Sequence, residues 1–450
     1  MASTYLKRTN GTPTNDKIGT ISVWVKRSKL GTDQRIHMNF ADGSNYAYLR
    51  FTEGDLIEVY GVASGSQSTQ IRTNRKFRDT NAWYHIVLAI DTTQGTSTDR
   101  IKIYVNGVQE TSMGTTDYWG QNETCQLLIA SGSNYHTVGS AENGSSSFDG
   151  SMSHYHKCDG TALAPTVFGS TDSTTGEWKI NTSPSFTVGN TGYTILKDGN
   201  TITDQSSNSN DFTLGAGTLT KTESSPSNVF ATLDPLNVPT SNAPTFSNGN
   251  TKVVTSSGGQ FGGSSNLGAS SGKYYFEIKF SAGTTTYGNI NFVSSSNARE
   301  TARQNVHANQ LSSAYPSFCY EYDGNVYKDS TSTVANYGTY AVGDIIMIAA
   351  DLDNQFAYFG VNGTWGNSSV PTSGATGTGG ASMSANPDFW HLALGDRNSS
   401  GTNTYEVNFG NGYFGTTAVS SAGANASGNG IFEYDVPTGY TALSTKGLNL

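Results

Sequence analysis

Asp-Gly, Glu-Gly-Asp and Asn-Gly turns interrupt this chain at close intervals, and the segments between them alternate apolar and polar residues. That pattern constrains the fold more than any other feature. A chain that reverses every eight to twelve residues, as a rough rule, builds short paired strands and not long helices. Residues 18–25 (IGTISVWV) place Ile21, Val23 and Val25 on one face. Segments 36–40, 46–51, 56–60, 83–90, 101–105, 127–130 and 148–158 continue the series. In 101–105, Ile101, Ile103 and Val105 share one face and Lys102 and Tyr104 the other, because side chains alternate along a strand. In 86–90 both faces are apolar, which predicts a strand covered on both sides. The fold class is therefore all-β, of sandwich or jelly-roll type.

One phrase occurs twice. HIVLAIDTTQGTSTDRIKIYVNG at 85–107 and DIIMIAADLDNQFAYFGVNG at 344–363 both run from an apolar strand through Asp and a polar turn to a second strand ending in Asn-Gly. The separation gives no continuous repeat array. Two hairpins in two separate sandwiches, meeting the same local demand, account for it. The first sandwich is assigned to 1–165. Residues 166–244 are polar and turn-rich with isolated Phe and Trp, which predicts an extended strap packed on a neighbour. Pro235, Pro239 and Pro244 mark its end. A second sandwich is assigned to 245–415, where GKYYFEIKFSA at 272–282 alternates Tyr274, Phe276, Ile278 and Phe280. A short extended tail fills 416–450.

Composition narrows the function classes. Aromatic residues make up 11% of the chain, with 24 Tyr, which excludes a disordered polymer. Residues 1–165 hold 15 basic and 15 acidic side chains, so the rest carries the whole net charge of −9. No basic stripe is present, and nucleic acid is not an expected partner. Cys125, Cys158 and Cys319 form neither a disulfide framework nor a zinc motif. The N-terminus lacks the apolar core of a signal peptide, and no apolar stretch could span a bilayer. The expectation is a soluble chain made in a cytoplasm, without membrane insertion.

Catalytic motifs are weak. A sandwich glycosidase needs acids aligned on one strand face. Only EYDGNVY approaches this, with Glu321 and Asp323, and Gly324-Asn325 turns the chain where a third acid would stand. Asp351 and Asp353 also share a face but fall at the second hairpin. His154, His156 and Cys158 alternate in SHYHKC, so strict alternation predicts one shared face, better read as a buried strand face than as a metal site. The Gly-rich GQFGGSSNLG at 259–268 sits in a linker-like stretch with no helix after it, and phosphate binding is not expected. The expectation is a protein without enzymatic activity. Aromatic loops are the remaining lead, since sugars stack on Tyr or Trp while amides bond their hydroxyls. TTDYWGQNE (115–123), SGSNYHT (131–137) and NGTWGNSS (362–369) nominate Tyr118, Trp119, Gln121, Asn134, Tyr135, Asn362, Trp365 and Asn367.

WYHIVLAIDTT…IKIYVNG with FDGSMSHYHKCDGTAL resembles the laminin-G-like, concanavalin A-like jelly rolls, over roughly 1–165. GKYYFEIKF…GDIIMIAADLDNQFAYFGVNGTW…VNFGN resembles a SPRY domain, over roughly 250–415. The combination, with SVWVKRSKLG, FGSTDSTTGEW, SPSNVFATLDPLN and PTGYTALSTKGLNL, resembles a class of tailed-bacteriophage structural proteins. The strap motif departs from that class, reading DQSSNSND at 204–211. The resemblance implies a virion protein, an appendage or tail fibre, that binds a host-surface glycan or protein through its loops. Its partners would be other virion proteins, and it would form a homo-oligomer, a trimer being the common fibre symmetry. A capsid-decorating protein or head fibre and a polysaccharide depolymerase are the alternatives. No cofactor is required. Calcium, which lectins of this kind often bind, stays open, with Asp91, Asp99, Asn106 and Asp149 as candidate ligands.

Overall fold

Asn106-Gly107 and Asn362-Gly363 both adopt left-handed backbone conformations, with φ of 49° and 79° in the first pair and 49° and 82° in the second. Asn and Gly reach this region at low cost. Each pair closes a two-residue turn, Val105 opposite Val108 and Val361 opposite Thr364. Each Asn side chain adds a clamp. The N–H of His85 donates to Asn106 Oδ1 at 2.7 Å, and the N–H of Ile345 donates to Asn362 Oδ1 at 2.9 Å. The Asn N–H returns a bond to the carbonyl of that same residue in both cases. The Asp that ends each first strand caps the next turn: Asp91 accepts from the Thr93 N–H and Asp351 from the Asn354 N–H. The repeated phrase is thus one hairpin solution used twice.

The computed structural model describes residues 4–132, 134–197, 201–284, 288–311, 314–329, 332–384, 388–397 and 400–449. The chain forms two compact units, Met1–Lys221 and Thr222–Leu450. The division falls inside the 166–244 strap, whose first part packs within the first unit and whose remainder, prolines included, packs within the second.

The first unit runs β1 (Tyr5–Arg8), β2 (Ile18–Arg27), β3 (Gln34–Asp42), β4 (Asn45–Phe51), β5 (Leu56–Ala63), β6 (Ser66–Lys76), β7 (Trp83–Asp91), β8 (Ile101–Val105), β9 (Val108–Gln109), β10 (Met113–Asp117), β11 (His136–Val138), β12 (Gly150–Asp159), β13 (Gly169–Thr171), β14 (Trp178–Ile180), β15 (Tyr193–Ile195) and β16 (Thr213–Ala216). An eight-stranded sheet, β10-β6-β5-β4-β3-β11-β1-β16, faces a six-stranded sheet, β15-β12-β2-β7-β8-β9. Ile21, Val23, Leu49, Val59, Ile86 and Leu88 fill the core between them. Residues 127–130 do not form the expected strand. They make a turn that buries Leu127 and Leu128. The β6 strand escapes the sequence pattern because two of its three buried positions, Thr69 and Thr73, are polar and only Ile71 is apolar.

The second unit also pairs two main sheets, of nine and six strands. Strands Lys273–Ala282 and Ile345–Asp351 are central to the larger, and Gly288–Ser294 to the smaller. Two local readings are corrected. The Gly-rich 259–268 stretch contains a strand, Phe261–Ser264, in which Gly263 takes φ 115°. Ser295–Gln304 forms a helix, capped by the Ser294 hydroxyl accepting from the Asn297 N–H and ended by left-handed Asn305.

Own-chain segments lock each unit. In the first, Trp178 of the β13–β14 hairpin lies so close to the β8–β9 turn that a Cβ on Gly107 would stand 2.4 Å from its ring. In the second, a Cβ on Gly363 would stand 2.9 Å from Tyr434 of the tail. The tail is also held by Glu277, whose buried carboxylate accepts from the N–H groups of Glu433 and Tyr434, from Tyr275 Oη and from Asn408 Nδ2 at 2.9–3.1 Å. Burial pushes the Glu277 carboxyl up to about 6 against these donors.

Two outcomes follow. G107A loses about 2–3 kcal/mol in urea unfolding followed by Trp fluorescence, because a left-handed alanine and a displaced indole add. G43A, which meets nothing within 4 Å, stays within about 0.5 kcal/mol. Because the folded value of Glu277 lies above its ordinary 4.5, its contribution is complete below that value and is lost as pH rises through about 6. The loss is on the order of 2 kcal/mol, and E277Q should remove that slope from unfolding measured between pH 4 and 7.

Candidate functional site

Among the described residues, own-chain segments pack on the outer sides of three of the four main sheets. On the six-stranded sheet of the first unit, Trp24 and Trp178 sandwich His85 at 4.7 and 6.0 Å, while Phe168 and Phe186 pack on His156. On the larger sheet of the second unit, Tyr275, Met347 and Tyr358 lie under Phe432, Val436 and Tyr440. On its smaller sheet, Val293 and Ala393 lie under Ala298 and Ala308. The outer side of the eight-stranded sheet is covered in part, by Ala141 of the β11–β12 segment packed with Met38 and Tyr48, and a row of aromatic rings lies beside that cover.

Alternation in β4 (NYAYLRF) sends Ala47, Leu49 and Phe51 inward and Tyr46, Tyr48 and Arg50 outward. Register then sets Phe40 opposite Tyr46, Tyr48 opposite Tyr60, Arg50 opposite Glu58, and Glu58 opposite Arg72. Tyr46 stacks on Tyr48 along β4 and Tyr48 on Tyr60 across to β5, with centroids 6.4 and 5.3 Å apart and planes within 21°. Phe40 extends the row 6.1 Å beyond Tyr46. Arg35 sits 4.3 Å over the Tyr48 ring, and burial raises the Tyr48 hydroxyl to about 12. The rings of Phe40, Tyr46 and Tyr60 remain half-buried, with an open side. Among the described residues the Tyr46 and Tyr60 hydroxyls have no hydrogen-bond partner, which leaves them to solvent or ligand.

Glu58 braces this platform. Arg50 Nε donates to it at 2.6 Å, Gln70 Nε2 at 2.8 Å and Arg72 Nε at 2.9 Å, and Arg72 Nη2 adds a further bond. Arg50 also reaches Asp33 at 2.6 Å. Burial by itself would raise the Glu58 carboxyl. The bonds from Gln70 and Arg72 and the charge of Arg50 outweigh it and hold the group below the usual carboxylate range. The result is a fixed surface of aromatic faces, guanidinium donors and an amide.

The residues nominated from sequence meet varied ends. Trp119 is 0% exposed, with Nε1 donating to Gln126 Oε1, so its ring cannot stack on a ligand, contrary to expectation. Tyr118 packs against the core edge. Gln121 bonds the Thr93 carbonyl. Asn134 bonds the Ala41 carbonyl, while Ser133 lies outside the described residues. Tyr135 is 38% exposed, under Lys7 Nζ at 4.5 Å, and its backbone pairs with Phe40 at the margin of the aromatic face. Asn362 is the turn clamp, also donating to Asp344 Oδ1. Trp365 packs on Tyr275. Asn367 takes φ 50° and bonds the Gly379 carbonyl. The eight are not brought together. Reasoning from loops missed Phe40, Tyr46, Tyr60, Glu58 and Arg72 because they lie within strands. Their signal was the outward half of the alternation, Tyr-x-Tyr-x-Arg in β4 and Glu-x-Tyr in β5.

The metal candidates also separate. Asp91 caps its turn through Thr93 and Gln94, Asp99 pairs with Lys102 at 3.0 Å, and Asn106 clamps His85. Asp149 is half-buried, and burial raises its carboxyl against the pull of Lys29. In β12 His156 and Cys158, opposite Ser22 and Thr20, share one buried face, the His154 ring lies 6.3 Å from that of His156, and a bulge at His154 turns Met152 to the core side instead. Ser153 pairs with Trp24 and His156 with Ser22, and His154 takes φ 47°. His156 Nδ1 meets Thr194 Oγ1 at 2.9 Å, and Cys158 Sγ meets the Thr187 carbonyl at 3.0 Å. Among the described residues no group of three His, Cys, Asp or Glu side chains could hold a metal ion.

The acids and the Ser–His contact have structural partners. Glu321 pairs with Arg397 at 2.6 Å, and Asp323 caps Asn325. Asp351 pairs with Lys273, and Asp353 accepts from the Gly272 N–H. Ser22 Oγ lies 2.9 Å from His85 Nε2, but Trp178 Nε1 donates to His85 Nδ1. The ring proton therefore sits on Nε2, the wrong tautomer for activating the hydroxyl.

Residues 2–166 match the family described as the concanavalin A-like lectin/glucanases superfamily, and the first unit carries a domain of that kind. No curated protein matches the chain. Among solved structures it is similar to the SPRY domain of human HERC1, with 19% identity and a TM-score of 0.30, over 39% of this chain and 96% of that one. It is similar to a heptameric SAP-like pentraxin from Limulus polyphemus at 15% identity and TM-score 0.26, over 36% and 72%. Domain 4 of AbnA, a GH43 extracellular arabinanase from Geobacillus stearothermophilus solved with arabinotriose, is similar at 18% and 0.25, over 35% and 68%. Likenesses at this level speak to neither substrate nor partner.

The bracing role of Glu58 has a measurable consequence. E58Q leaves two guanidinium groups without their shared anion and lowers stability by roughly 1–3 kcal/mol at neutral pH. Because the folded carboxyl titrates below its usual range, this contribution is present above that range and disappears as pH falls through the folded value. Wild type and E58Q should converge in acid unfolding.

Proposed function

We propose that the chain is a non-enzymatic binding protein whose first unit holds a saccharide on the outer face of the eight-stranded sheet. The aromatic row on the outer face of the eight-stranded sheet, where Tyr46 and Tyr60 stay half-buried, carries this reading. Sugar rings present C–H faces that pack on aromatic rings, and their hydroxyls take bonds from amides and guanidinium groups. Tyr46 and Tyr60 supply the ring faces, 6.5 Å apart. Arg50, Arg72 and Gln70 supply donors already fixed by Glu58, so little ordering is left for binding to impose. Tyr135 and Lys7 extend the surface at its margin. The match of 2–166 to a lectin/glucanase superfamily supports the ligand class.

The setting we propose is the surface of a tailed-phage virion, as an appendage or tail fibre that engages a host glycan. It rests on the family resemblance of the two sandwiches, strap and tail in their order along the chain. Other virion proteins and further copies of the chain are its proposed neighbours.

The test is a glycan array probed with the full-length chain and with Y46A and Y60A. Both rings are half-buried, so each variant should keep its fold. Wild type should bind a saccharide, and each variant should bind about tenfold more weakly or worse, as expected for losing a stacked ring. No glycan bound by wild type, or equal binding by both variants, overturns the reading. Antibody-gold on purified particles should label tail or fibre tips. Label confined to the head, or absent, overturns the setting and leaves saccharide binding to stand on the array.

A further inference from the structure

Two histidines tie the sheets of the first unit together through its interior. His37 of β3 and His136 of β11 belong to the eight-stranded sheet, and Tyr155 of β12 and Tyr193 of β15 to the six-stranded sheet that faces it. His37 Nδ1 lies 2.6 Å from Tyr155 Oη, and His136 Nε2 lies 2.7 Å from Tyr193 Oη. The two phenol rings stack with centroids 5.8 Å apart, and their hydroxyls interact. The two imidazoles meet edge-on at 4.4 Å. All four side chains are 0% exposed. The far ring nitrogens, Nε2 of His37 and Nδ1 of His136, have no hydrogen-bond partner among the described residues.

Proton counting makes this run of groups sensitive. His37–Tyr155–Tyr193–His136 has three links, and each link takes one proton. The phenols supply two. One imidazole N–H supplies the third, and the other imidazole accepts. A further proton has two places to go. On the accepting nitrogen it meets a hydroxyl proton and breaks a link. On the bare far nitrogen it makes a charged N–H in the core with no acceptor.

The surroundings oppose such a charge. Lys157 of β12, 0% exposed and donating to Thr191 Oγ1 at 3.3 Å, acts against it on both rings, and Arg8 of β1 acts against it on His136. The Leu127 backbone favours a charged His37, and burial outweighs it. Burial also holds Cys125, which faces Lys157, as a thiol. The carboxylates of this end serve other groups. Asp159 accepts from the N–H groups of Thr14 and Thr191 and from Thr191 Oγ1. Asp204 and Asp211 pull on Arg8, and Asp16 accepts from Thr124 Oγ1.

We propose that the His37–Tyr155–Tyr193–His136 run is an acid latch: it ties β3 and β11 to β12 and β15 while both rings are neutral, and a proton on either ring releases that side of the first unit. The latch takes nothing from the preceding reading. Its sign follows from the rings' surroundings. Both are held well below the ordinary 6.5, so the folded unit binds fewer protons than the unfolded chain. Stability is complete above that value and falls as pH falls below it. Lys157, brought down to about 7 by burial, is charged over the same range and adds its repulsion.

The experiment is hydrogen-exchange mass spectrometry of the full-length chain from about pH 7 to about pH 5, with rates corrected for the intrinsic effect of pH. It is repeated on H37N, H136Q and the double variant. Asn places its amide where Nδ1 of His37 stood and Gln where Nε2 of His136 stood, and neither titrates. In wild type, protection of peptides from β3, β11 and β12 should fall about tenfold per pH unit for each ring that excludes a proton. H37N/H136Q should lose that part of the slope, and each single variant about half of it. His85 and His156, on the outer side of the six-stranded sheet, are also kept neutral by burial and stay in every variant, so the difference reads the latch. Peptides of the second unit are the internal reference and should not differ between wild type and variants. Near-UV circular dichroism at about pH 7.5 checks each fold, and the wild-type series and any one folded variant suffice for the test. Wild-type protection that stays constant from about pH 6.5 to about pH 5 overturns the latch. So does a slope in the folded variants equal to that of wild type.

Discussion

Asn106 and Asn362 each do two things at one position. Each enters the left-handed region that a two-residue hairpin requires, and each turns its amide oxygen back to the N–H of a neighbouring strand, His85 in one unit and Ile345 in the other. Register in both sandwiches hangs on that clamp, because a slip of one residue would send every core side chain to the wrong face. The glycine that follows is constrained twice as well. It needs its positive φ, and it must leave room for Trp178 or Tyr434.

That close approach links hairpin to strap. Each unit buries its sheets' outer sides with segments of its own chain, and those segments arrive as isolated aromatics in polar sequence. Trp178, Phe168 and Phe186 do this in the first unit, and Phe432, Val436 and Tyr440 in the second. The eight-stranded sheet of the first unit receives a smaller cover, Ala141 on Met38 and Tyr48, and the ionic bonds at Glu58 hold the rest of its outer side, which leaves Phe40, Tyr46 and Tyr60 half-buried.

The aromatic face is assembled from adjacent strands, so the spacing of its rings is set by the sheet itself.

Much was legible in the sequence. Period-two alternation gave the all-β class and most core positions, such as Ile21, Val23 and Ile86. Asn-Gly gave the turns, since a positive φ is a local demand that residue type answers. What failed were inferences needing a neighbour. Trp119 reads as an exposed loop tryptophan and is buried, because Gln126 satisfies its N–H inside the core. Met152 reads as sharing the face of His154, His156 and Cys158, and a bulge at His154 sends it to the core side. The sequence alone determined which residues of β4 and β5 point opposite to the core. Only the tertiary structure decided which outward faces the strap and tail would cover, because burial of a strand's second face depends on segments a hundred residues away and not on the strand's own pattern.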